Sequence, residues 1–105
     1  MSSFENISID RAANVYFDGR VTSRTIRFAN GEVKTLGIML PGEYRFNTDD
    51  KELMEIQGGD VLVRLSDSDE WVAYASGEEF EVPARSAFDI KVNCVTDYCC
   101  SFTKE

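Results

Sequence analysis

The sequence predicts an all-β chain folded as one small antiparallel barrel or jelly roll. Three observations point there. Short β-like runs recur along the chain, separated by Gly, Pro, Asn and Asp turn signals. No stretch repeats its apolar residues at the helical period. The 105 residues, 43% of them hydrophobic, suffice for a single core.

The elements follow in order. Residues 1–13 are polar with scattered apolar positions and read as a loose arm before a domain over 14–105. Val15-Tyr16-Phe17 runs into the Asp18-Gly19 turn. Arg20 to Phe28 alternates, with Val21, Ile26 and Phe28 as inward candidates and a slip of phase between 21 and 26. Asn30-Gly31 is a hairpin turn dipeptide leading into the strand Val33 to Leu40. Pro41-Gly42 turns the chain into Glu43-Tyr44-Arg45-Phe46.

Thr48 to Glu52 reads as a polar loop, and Leu53 to Ile56 as a short strand ending at Gly58-Gly59. Asp60 to Leu65 places Val61, Val63 and Leu65 on one face. The acidic turn Ser66 to Glu70 precedes the strand Trp71 to Ala75. Phe80 to Val82, Ala87 to Val92 and Tyr98 to Phe102 complete the set.

Eleven basic against nineteen acidic residues give a net charge of -8. That disfavours non-specific nucleic-acid binding, which neutralises phosphates with cations. No run is apolar enough for a signal peptide or a membrane span, so a cytoplasmic protein without a membrane partner is expected. The three cysteines, Cys94, Cys99 and Cys100, are odd in number and include an adjacent pair, which suits buried free thiols rather than a disulfide framework.

The stretch Gly77 to Phe88, with Pro83 six residues after Gly77 and a short turn into a strand, has the spacing of the second cupin motif. Phe88 stands where a metal-binding cupin has His, and the chain contains no His. The first motif would span about residues 42 to 58, and its His positions fall among Tyr44, Arg45, Phe46 and Asn47. No histidine-bound metal is therefore expected.

Three further segments join these: Lys34 to Phe46, which contains Pro41-Gly42-Glu43-Tyr44-Arg45-Phe46; Glu52-Leu53-Met54-Glu55; and Thr96-Asp97-Tyr98-Cys99-Cys100. With Trp71 and Gly77 to Pro83, they resemble the pyrimidine/purine nucleoside phosphorylases, a family of small cupins, over about residues 14–102. The resemblance implies a cytoplasmic, homodimeric pentosyltransferase. It would cleave purine and pyrimidine nucleosides with phosphate to free base and ribose 1-phosphate, with no cofactor beyond phosphate as co-substrate. It assigns no catalytic roles.

Those come from the chemistry. Phosphorolysis passes through a sugar cation. It needs donors for phosphate, an acceptor for the ribose hydroxyls and a donor for the leaving base. Glu43 and Arg45, at the first motif, are the catalytic candidates; Tyr44, Glu55, Arg64, Arg85 and Phe88 are candidates for binding substrate. Each has a plainer reading. Phe88 and Phe46 fill cores more often than they stack on bases. Glu55 with Arg64 suits a cross-strand surface pair, and Arg85 an exposed turn. The rival function is a non-catalytic small-molecule-binding cupin or a structural dimer module.

Overall fold

A computed structural model of the protein describes residues 3–103. Eleven strands form two antiparallel sheets: β1 (Ile7–Ile9), β2 (Asn14–Tyr16), β3 (Val21–Phe28), β4 (Val33–Met39), β5 (Gly42–Asn47), β6 (Lys51–Gly58), β7 (Asp60–Leu65), β8 (Val72–Ala75), β9 (Glu79–Val82), β10 (Ala87–Val92) and β11 (Thr96–Thr103). One sheet has the order β1-β3-β4-β11-β6-β9, with β2 also on β3; the other runs β5-β10-β7-β8. The jelly-roll reading holds. Pro41-Gly42 passes the chain from the first sheet to the second, and β6 brings it back.

Alternation fills the space between the sheets. Tyr44, Val61, Val63, Phe88 and Ile90 face it from the second sheet, and Met39, Met54, Ile56, Phe80 and Tyr98 from the first. The slip of phase in β3 has a physical cause. Val21 and Ser23 point into the barrel, whereas Ile26, although 1% exposed, lies outside the central cluster. Ile26 and Phe28 are on the outer face, where they pair in register with Ile9 and Ile7 of β1.

The arm expected over residues 1–13 is thus partly held over its described part, residues 3–13. The Phe4 ring meets Phe28 edge-on at 5.2 Å, and the Lys34 ammonium lies over both rings. The expected loop over Thr48 to Glu52 is shorter than the polar run suggests. Lys51 and Glu52 belong to β6, because β11 and β9 flank them: Glu52 pairs with Phe102 and Val82.

Candidate active site

Between the sheets, toward one end of the barrel, lies a cavity of about 170 Å³ that opens to solvent. The exposed members of its lining, Tyr16, Asn47 and Phe102, mark the mouth. Its depth is built by alternate residues of neighbouring strands. Ser23 comes from β3, Thr35 from β4, Tyr98 and Cys100 from β11, and Glu52 from β6.

Gly37 makes room for Tyr98. A Cβ there would collide with the Thr22 carbonyl and come within 2.8 Å of the Tyr98 hydroxyl. The Tyr98 hydroxyl lies beside Ser23 at this corner, and burial keeps its pKa above the ordinary value, so it stays a neutral phenol. Asn14 fixes the same corner by donating to Ser23 Oγ at 3.3 Å and Thr25 Oγ1 at 3.1 Å.

The Cys100 thiol and the Glu52 carboxyl face the same part of the cavity and bear on each other's proton affinity. Burial pushes the thiol's pKa up, with the Glu52 charge adding to it. Burial also raises the Glu52 carboxyl above the usual carboxylate range, against the effect of Cys100 and helped by Asp50 and Asp49. Opposite this polar wall, Phe46 and Phe88 stack with centroids 5.5 Å apart and planes 28° apart. No Lys, Arg or His lies among the lining residues.

A second concavity, of about 290 Å³, lies on the outer face of the β5-β10-β7-β8 sheet. Arg45, Asp89 and Arg64 are register partners across it. Asp89 accepts from Arg45 at 3.1 Å and from Arg64 at 3.0 Å. The bond from Arg64, then that from Arg45, holds its carboxyl below the ordinary value. The Trp71 ring packs under the Arg64 guanidinium at 4.8 Å and the Lys91 ammonium at 4.3 Å.

The family model for pyrimidine/purine nucleoside phosphorylase matches residues 11–102. The chain belongs to that family. It is 58% identical to a pyrimidine/purine nucleoside phosphorylase of Chlorobium chlorochromatii over 102 residues, covering 97% of this chain and 98% of the relative. A crystal structure of a protein of unknown function from Acinetobacter sp. ADP1 superposes with a TM-score of 0.94 at 37% identity, covering 96% of this chain and 98% of that one. A cupin-2 domain protein from Shewanella frigidimarina, 15% identical over 78% of this chain and 79% of its own, gives 0.65 and shows the shared cupin fold.

Cupins commonly hold a metal through histidines, but the residues of this phosphorylase-family chain do not fit one. Phe88 stands where the second motif would supply its histidine, and no group of three His, Cys, Asp or Glu converges among the described residues.

The candidates named from the sequence separate onto different surfaces. Phe88 is buried and lines the cavity. Tyr44 is buried beside it in the core, its hydroxyl donating to the Leu40 carbonyl at 2.6 Å. Glu43, Arg45 and Arg64 sit together on the outer groove. Glu55 is on the other sheet, opposite Cys99 and Glu79, so it does not pair with Arg64. Arg85 is exposed in the turn before β10, its backbone N–H donating to Asp49.

Sequence reasoning missed Ser23, Glu52, Tyr98 and Cys100. The usable signal was alternation along β11, which puts Tyr98, Cys100 and Phe102 on one face.

Proposed function

We propose that this protein is a pentosyltransferase that cleaves purine and pyrimidine nucleosides with inorganic phosphate, releasing free base and ribose 1-phosphate, and that the nucleoside enters the barrel cavity. The observation that carries the placement is the pairing of a polar wall (Ser23, Tyr98, Cys100, Glu52) with the Phe46–Phe88 stack. Stacking tolerates every base because every base has a π-face, and hydroxyl and carboxyl groups suit ribose. The enclosed volume is below the ~300–1,000 Å³ of sites that engulf a drug-sized ligand. Part of the substrate therefore stays in the mouth, where phosphate approaches. The enzyme works as a cytoplasmic homodimer without metal or organic cofactor.

The outer groove is the second reading, favoured by one observation. Two guanidiniums converge beside an indole there, and the guanidinium fork matches phosphate.

The test is base release from adenosine, guanosine, uridine and cytidine, with and without phosphate. Phosphate-dependent release from all four is expected. Binding without turnover would make the protein a small-molecule-binding cupin, and equal release without phosphate would make it a hydrolase.

A further inference from the structure

Glu52 is the single carboxyl in the cavity lining among the described residues. It stands at the start of β6, half-buried, between Phe102 of β11 and Val82 of β9. The groups that bear on it are the Cys100 thiol and the carboxylates of Asp50 and Asp49. The facing sheet contributes the Phe46 and Phe88 rings and Asn47 to the same space.

A base leaving a ribose carries off the glycosidic electron pair and needs a proton. Purines and pyrimidines differ over most of their edges. They share one acceptor position beside the glycosidic bond: N3 of the purine and O2 of the pyrimidine. One donor placed there serves both classes, whereas a pocket fitted to the far edge would reject one of them.

Building on the cavity reading, we infer that Glu52 is the proton donor to the leaving base, delivering its proton to purine N3 or pyrimidine O2. The step balances. The C1′–N bond breaks with its electron pair going to the base, and the Glu52 proton moves to the base. An oxygen of the phosphate dianion forms the new bond to C1′. The ribose 1-phosphate monoanion then gives up its proton, which returns through solvent to the Glu52 carboxylate. Burial raises the Glu52 carboxyl above the usual carboxylate range, which favours the protonated form that this step uses.

The experiment compares Glu52→Gln with wild type on adenosine, uridine and 7-methylguanosine. The last carries a cationic base that departs without needing a proton. The expected result is a loss of about 10²-fold or more in kcat/KM on adenosine and uridine, the range for general acids, with a far smaller loss on 7-methylguanosine. Glu52→Asp, which keeps an acid in a shorter reach, should lose less than Gln on adenosine while sparing 7-methylguanosine likewise. Equal losses on all three substrates would make Glu52 a binding or structural group and overturn the assignment. So would no loss on any. A wild-type protein that releases no base from any nucleoside with phosphate would sink the phosphorylase reading itself, a result distinct from either.

Discussion

Tyr98 occupies space that only a glycine at position 37 leaves open. A Cβ on Gly37 would stand 2.8 Å from the Tyr98 hydroxyl and 2.9 Å from Ser23 Cβ, with the Thr22 carbonyl closer still. The neighbour that must yield is backbone as well as side chain, so relaxation is costly.

Gly37→Ala is therefore expected to destabilise the fold by about 1–3 kcal/mol, the usual range for overpacking. It should also displace the Tyr98 hydroxyl from Ser23. Urea unfolding reads the first effect. Tyr98→Phe, which removes the hydroxyl alone, should keep the fold and lower base release. A Gly37→Ala protein as stable as wild type would show that the strand relaxes freely.

The Glu52 carboxyl gives a pH signature of stability. Its folded pKa lies above the unfolded value, so the folded state binds more protons. Stability from this group is full at acid pH and falls as pH rises from the unfolded carboxylate value through the folded one. Glu52→Gln should then resist urea better than wild type at pH 8, with the advantage vanishing at pH 4. A constant difference at both values would remove burial as the cause.

Trp71 is the lone tryptophan and lies on the outer groove. Its emission therefore distinguishes the two candidate sites. A nucleoside in the barrel should leave it nearly unchanged at saturation, while a nucleoside or phosphate in the groove should quench or shift it. A strong change that tracks KM would move the site to Arg45 and Arg64.

Thiol reactivity should divide by burial. Cys94 is exposed while Cys99 and Cys100 are buried, and burial raises the pKa of both buried thiols. In the native protein a disulfide reagent should modify Cys94 first, with the others following only on unfolding. Rapid modification of Cys100 in the native state would contradict the described packing.

Assembly is checked by light scattering, where a dimer is expected. Val15 and Ile38 lie on one row of the outer face, with Thr22 between them, and both are exposed. Val15→Asp combined with Ile38→Asp should yield monomer if this face is the contact. An unchanged dimer would place it elsewhere.

Much of the fold was legible because each strand pairs a period-of-two pattern with a turn signal. Asn30-Gly31 and Pro41-Gly42 are examples, and Val61 and Val63 point inward as alternation requires. The site was less legible. A motif position says where along the chain a residue falls, not which face of the sheet it takes. Alternation turns Tyr44 inward and leaves Glu43 and Arg45 outside. Glu52 was obscured because a polar run looks like a loop until β11 and β9 supply its partners. Ile26 and Phe28 looked like barrel core because they are apolar; they lie on the outer face beside Ile9 and Ile7 of β1, a strand too short to announce itself, and Phe28 meets the Phe4 ring.

The cavity's polar groups ride on strands from the middle of a sheet, and its mouth opens directly to solvent past Tyr16, Asn47 and Phe102. A vessel walled by paired central strands is expected to reshape little around each guest, which favours tolerance of different bases. The same open mouth admits bulk water among the described residues, and water then competes with phosphate as nucleophile for the sugar cation. The by-product of that competition is free ribose, and its share of turnover should grow as phosphate runs low.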